Sequence, residues 1–401
     1  MKRKSALLAI ILILILIISG CNLGGGRDGS PENPYLIQGE SDLRHIGTGS
    51  YGLDDHYELT QTVRAEQIND WIPKGTADRP FNGVIEGNGN IIHVKEDIKQ
   101  QEDTELGGLL GYIGEKGEVR NLIIKGNLKG GSEYTGMIAG INEGTIKNVR
   151  YGNRQVTGDP WGSGNVIGEK TTGGLVGKNL GTIEQCLVIE GQTRGNYTKD
   201  PENPGGVGGL VGYNEGIIKE SVAAHTVYGK DNTGGLVGYD HGGTIEDSYS
   251  HMPVDVEGKA ATNIGLFIGK SIDSTIKNSY TGGAIFDHSE GYINNFKKAS
   301  KVGTFGGYIS MDTTLEGCVR INNELDFDYD EKSPHLPTIG SEPDDDTIMQ
   351  TGEKPAVEPE EIKELFHNID SYDFEETWTF KQEDQFPRSP LLQWELDNLA
   401  E

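Results

Sequence analysis

Three short clusters in this 401-residue chain hold residue types that could do chemistry. Gly269-Lys270-Ser271 could close a phosphate-binding loop, in which backbone amides and a lysine cradle a polyphosphate. Such a loop needs a glycine five positions before its Gly-Lys-Ser, and Ile264 stands there. Asp326, Asp328 and Asp330 are spaced like the first oxygen ligands of a calcium loop. The sharp-turn position holds Glu331 where glycine is required, and the twelfth holds Pro337 where a bidentate carboxylate is required. Asn196-Tyr197-Thr198 is an N-glycosylation sequon. The nine histidines show no metal spacing, and neither His-Glu-x-x-His nor Gly-x-Ser-x-Gly occurs. No catalytic residue, cofactor or metal site is assigned on these grounds.

The N-terminus reads as an address. Lys2, Arg3 and Lys4 precede an apolar run from Ala6 to Ile18, 13 residues long. About 20 residues are needed to span a bilayer, so a signal peptide over residues 1–20 is expected. Ile18-Ser19-Gly20-Cys21 resembles the bacterial lipobox. The resemblance implies cleavage before Cys21 and a diacylglycerol on its sulfur, with an uncleaved anchor or an ordinary secretory signal as the alternatives. Residues 21–30, rich in glycine, then form a tether. The implied location is secreted and membrane-anchored on the extracytoplasmic or cell surface, with the lipid as the only contact with the membrane.

The formal net charge is −27, which argues against nucleic acid as a partner. Fifty-nine glycines argue against a helical domain, because each interior glycine costs a helix about 1 kcal/mol. Three cysteines, Cys21, Cys186 and Cys318, are too few for a disulfide scaffold.

Internal repetition organises the chain. Gly-Gly-Leu-Val-Gly starts at Gly173, Gly208 and Gly234, with variants at Gly107, Gly136, Gly265 and Gly303. A second unit follows each: Val119-Arg120-Asn121, Ile146-Lys147-Asn148, Ile183-Glu184-Gln185, Ile218-Lys219-Glu220, Ile245-Glu246-Asp247, Ile276-Lys277-Asn278 and Leu315-Glu316-Gly317. The spacing, as short as 26 residues, leaves no room for a crossover helix or a four-stranded propeller blade. Copies that cannot bury a core alone must stack, so an all-β parallel β-helix (β-solenoid) is expected over 101–322. Segments such as Gly234–Ser250 resemble the GLUG motif of bacterial surface proteins. GLUG repeats also occur in the IgA-specific metallopeptidase family, whose zinc motif this sequence lacks.

Residues 31–100 are expected to form an N-terminal lead-in and capping coil, since Ser30–Ile37 and Phe81–Gly89 are similar to the opening segments of that family. Ser41 should cap a short helix there. Residues 323–360 read as an acidic linker, and 361–401 as a small α+β C-terminal cap with a helix over Glu361–Asn368.

Three columns follow from the alternation of side chains along a strand. The charge after each Ile should point outward and alternate in sign along neighbouring coils from Lys147 to Glu316. Cys186 and Cys318 share a position with Leu122, Val149, Ser221, Ser248 and Ser279 and should be buried free thiols. Val211 and Tyr213 beside Val237 and Tyr239 should form an outer apolar-aromatic stripe, unless an insert or the C-terminal segment covers it.

These expectations favour a lipid-anchored binding, adhesion or envelope-structural scaffold, with a polysaccharide or a surface or matrix protein as partner. A polysaccharide lyase or hydrolase on the same fold is the alternative, and would require carboxylates and a Lys or Arg gathered at one place. The oligomeric state is left open.

Overall fold

Each repeat contains four short extended segments separated by glycine and by residues that tolerate left-handed backbone. In the repeat after Gly205 these are Val207–Gly208, Val211–Asn214, Ile217–Lys219 and Val222–Gly229. The computed structural model describes residues 26–101, 104–152, 164–198, 200, 202–251, 253–256, 261–283, 285–287, 300–321, 349–350, 371–374, 376–379, 391–392 and 394. Every inter-coil pairing in it is parallel, and each segment pairs with its counterpart one repeat on. The protein is therefore a parallel β-solenoid with one coil per repeat. Two seven-stranded sheets carry the first two segments of every coil, and a 22-stranded sheet carries the last two together with the N-terminal strands.

The glycines of the pentapeptide set the shape of the coil. Strands Val207–Gly208 and Val211–Asn214 form the two arms of a tight arch. A Cβ on Gly212 would lie 2.8 Å from the Gly177 carbonyl oxygen, and one on Gly177 would lie 2.6 Å from the Thr135 nitrogen. Real Cβ atoms do not approach so closely, so the arms can meet only where no side chain intervenes. Leu210 and Val211, at the bend, both fill the core at 0% exposure.

The Ile unit forms a corner. Ile146, Ile183, Ile218, Ile245 and Ile276 are all fully buried. Two residues on, Asn148, Gln185, Glu220, Asp247 and Asn278 have φ between 45° and 54°. That left-handed geometry favours short polar side chains, which bond their own surroundings. The chain turns there, and the next residue is again inward. Leu122, Val149, Cys186, Ser221, Ser248, Ser279 and Cys318 occupy that place with at most 1% exposure. Both thiols are free, as expected, and burial pushes each up to about 12.

The lead-in is more than a cap. Strands Tyr35–Ile37, His56–Leu59 and Val84–Glu86 stack in order beneath Glu118–Lys129, so the solenoid begins at Tyr35. Helix α1 spans Glu40–His45. Its N-cap is Gly39, not Ser41: Asp42 accepts from the Gly39 amide at 3.1 Å and from Gln38 at 2.9 Å, and that carboxylate serves the helix start where Ser41 was expected to. At the other end Met349–Gln350, inside the stretch expected as linker, adds a rung to Val319–Arg320.

The C-terminal segment lies along the flank of the solenoid. Leu187, Val222, Tyr249, Tyr280 and Val319 stack as an outer apolar column on consecutive coils. Tyr372, Trp378 and Leu392 pack on it, with Phe374 and Trp394 partly buried alongside. Trp378 Nε1 donates to Asp247 Oδ1 at 3.2 Å and Trp394 Nε1 to the Glu220 carbonyl at 3.0 Å. A two-stranded antiparallel pair, Trp378–Thr379 with Leu391–Leu392, holds this strap together. The helix expected at Glu361–Asn368 lies outside the described residues, as do Cys21 and the Asp326 cluster.

Candidate functional site

The outward charge column forms as the alternation requires. Arg120, Lys147, Glu184, Lys219, Glu246, Lys277 and Glu316 are each in register with the next, on adjacent strands. Lys147 Nζ meets Glu184 at 3.1 Å and Lys277 Nζ meets Glu316 at 3.1 Å. The one like-signed step, Arg120 against Lys147, is relieved backward: Arg120 pairs with Glu86 at 2.6 Å and with Glu118 at 2.9 Å. In the middle of the column Lys219 turns to Glu220 at 3.5 Å.

The stripe expected at Val211, Tyr213, Val237 and Tyr239 is corrected. Val211 and Val237 are core residues at 0% exposure, and Tyr213 and Tyr239 are only 2% and 6% exposed. The register is continuous, Val211 with Val237 and Tyr213 with Tyr239, but every residue of Val211–Asn214 is buried, so the strip offers no open face. The tyrosines do stack in one column with Lys178 and Lys270. Their rings lie edge to face at 5.2 Å, with Lys178 over one at 4.9 Å and Lys270 over the other at 4.4 Å. The Tyr213 hydroxyl donates to Glu215, and burial together with that carboxylate pushes its pKa up. Tyr197 lies on the loop between Arg194 and Val207 and is itself buried.

That loop builds the pocket beside the buried tyrosines. Its volume is about 70 Å³, and Glu133, Tyr134, Lys170, Asn196, Tyr197 and Asp200 are among the lining residues. Lys170 and Glu133 form an ion pair at 2.6 Å across adjacent coils. Asn196 of the sequon is exposed on it. A space of this size, lined by aromatic, amide, carboxylate and ammonium groups, holds a few waters or a small polar group, not a ring. Sequence reasoning noticed Asn196 but not the pocket, because Glu133 and Lys170 meet only through stacking.

A second cluster was also missed. Glu58 and Glu86 are in register on neighbouring coils, and Glu86 with Arg120 on the next. Asn88 Nδ2 donates to Glu58 at 2.8 Å, and Asn121 Nδ2 donates to Glu86 at 3.0 Å. Its carboxylates are committed to Arg120 and to these amides, the pattern of a structural ion network. Among the described residues no group of three His, Cys, Asp or Glu side chains is placed to hold a metal ion.

Inside the solenoid runs a polar ladder. Asn142 Nδ2 donates to Asn179 Oδ1 at 2.8 Å, Asn179 to Asn214 at 2.8 Å, and Asn214 to Asp240 Oδ1 at 2.7 Å. Asp240 is fully buried and its Oδ2 has no hydrogen-bond partner. Burial raises its pKa to about 7. His225 is also interior; its Nε2 lies 2.7 Å from Thr193 Oγ1, and burial lowers its pKa to about 3.

No family model matches the chain. It is 32% identical over 169 residues to halomucin of Haloquadratum walsbyi, matching 39% of this chain and 2% of that protein. It is 33% identical over 132 residues to a protein provisionally named a Gly-rich membrane protein in Evansella cellulosilytica, matching 31% of this chain and 15% of that one. The chain thus spans a small fraction of the length of these relatives. A crystal structure of a protein provisionally named an immunoglobulin A1 protease, from Bacteroides ovatus, aligns with 92% of this chain and 95% of its own. The TM-score is 0.46 and the identity 16%.

Proposed function

We propose that the protein is a lipid-anchored surface scaffold of the GLUG-repeat kind, binding an extended partner such as a polysaccharide or a surface or matrix protein. The observation that carries the reading is the uninterrupted register: the same outward columns recur on consecutive coils from Lys147 to Glu316. A rigid surface repeating about every 4.8 Å suits a ligand that is itself long and repetitive. The names of the two relatives, halomucin and a Gly-rich membrane protein, agree with a surface location, and the Cys21 motif supplies a means of attachment.

Two measurements test this. The chain expressed with its leader should partition into detergent, and Cys21→Ser should abolish that; equal partitioning would remove the anchor. An array of immobilised polysaccharides and matrix proteins should yield a saturable ligand; none would remove the binding role. A polysaccharide-active enzyme is the second reading; Glu58, Glu86, Glu118 and Arg120 gather the residue types it would need, but here they are engaged with one another and with Asn88 and Asn121. Chain cleavage of a polymeric glycan, lost in Glu86→Gln, would establish it.

A further inference from the structure

The outward charge column is complementary to itself. Read from Lys147 the signs run plus, minus, plus, minus, plus, minus, over six coils in continuous register. Reversed, the same six run minus to plus. A two-fold axis along the strand direction lays one such face on another with the solenoids antiparallel. It keeps charge column over charge column and places an opposite charge against every member: Lys147 on Glu316, Glu184 on Lys277 and Lys219 on Glu246 of the second copy. Closed two-fold interfaces require this kind of self-matching.

Two further observations fall at the centre of the face, where the axis would pass. Lys147 and Lys277 are satisfied along their own column, but among the described residues no cation forms an ion pair with Glu246. Among the described residues Lys219, beside it, reaches only Glu220, at 3.5 Å. The neighbouring outward column is Thr145, Thr182, Ile217, Thr244, Thr275 and Thr314. Its one apolar member, Ile217, is 47% exposed and sits on the same central coil as Lys219. Apolar contact at the centre with polar groups around it is the usual anatomy of a protein interface.

We propose that this face pairs with the same face of a second copy of the chain. The net charge of −27 opposes approach elsewhere, whereas these six residues sum to zero. Six coils span only roughly 24 Å, so the patch is below the ~800 Å² per partner of a stable dimer. The association is weak, lateral and sensitive to salt, and it requires no anchor.

Cross-linking in the full-length chain tests the arrangement. In a Cys21→Ser background the two remaining thiols are buried, so Thr182→Cys and Thr275→Cys supply the reactive groups. Mixed, these two variants should be joined by a short bis-maleimide about tenfold more than Thr182→Cys with itself, and 0.5 M salt should cut the yield several-fold. A third chain with all six charges exchanged, Lys for Glu and Glu for Lys, keeps the alternation that supports its own fold. Two exchanged chains should cross-link like the parent, whereas exchanged with parent should fall about tenfold, since every facing pair is then alike. Equal yields for mixed and matched columns, or no preference for 182 with 275, would overturn the proposal.

Discussion

Asp240→Asn should make the protein more stable at neutral and alkaline pH, and it isolates one buried group. Asp240 ends a ladder whose three preceding members are asparagines, and it takes one hydrogen bond from Asn214 with Oδ2 left unpartnered. Its pKa rises from 3.8 to about 7 because burial penalises the carboxylate. A raised acid pKa means the folded state holds its proton longer than the unfolded chain. Stability from this group is therefore full below pH 3.8, falls as the pH climbs to about 7, and stays low above. Three pKa units correspond to about 4 kcal/mol, an upper bound on what the charge costs at pH 8. Asparagine has the same shape, accepts from Asn214 and never ionises. Urea unfolding of both chains at pH 4, 6 and 8 should show a gap near zero at pH 4 that widens to a few kcal/mol at pH 8. A gap that is constant with pH, or that favours the parent at pH 8, would refute the reasoning.

His225 should act in the opposite pH range. Its pKa is lowered from 6.5 to about 3, so the unfolded chain takes up a proton that the folded chain refuses. Stability should fall by about 1.4 kcal/mol per pH unit as pH drops from 6.5 toward 3, and His225→Gln should flatten that slope in acid denaturation. In a Cys21→Ser chain, Cys186 and Cys318 should react with a thiol reagent at pH 8 only after denaturant is added; rapid labelling of that native chain would contradict their burial. Trp378→Ala should release the strap and expose Tyr249 and Tyr280, seen as faster hydrogen exchange at residues 371–374 and 376–379 and added binding of a hydrophobic dye, with the coil amides unchanged.

The repeat columns were legible because they depend only on local alternation. Ile218 is inward, so Lys219 is outward, and a constant repeat stacks it on Glu184 and Glu246. Val211 was misplaced because the lysines of the same column, Lys178 and Lys270, were read as marking an open face, whereas the sheets close up at Gly212 and Val211 is fully buried. The asparagine ladder was readable, since an Asn or Asp stands two residues after four of the pentapeptides. The strap was not: Trp378 meets Asp247 across 131 residues, and Trp394 meets Glu220 across 174. Aromatic density in residues 371–394 signalled docking, but nothing local named the surface.

The strap also acts as a ruler. Its contacts run from the coil of Leu187 to that of Val319 and anchor at two fixed corners, Glu220 and Asp247. A repeat gained between those two adjacent corners moves the anchors apart by a whole rung, and one gained or lost elsewhere beneath the strap displaces the apolar column it packs on. A repeat added before Leu122 shifts neither. Gene duplication can therefore lengthen this protein from its N-terminal side at little cost, while the coils beneath the strap are held to a set number.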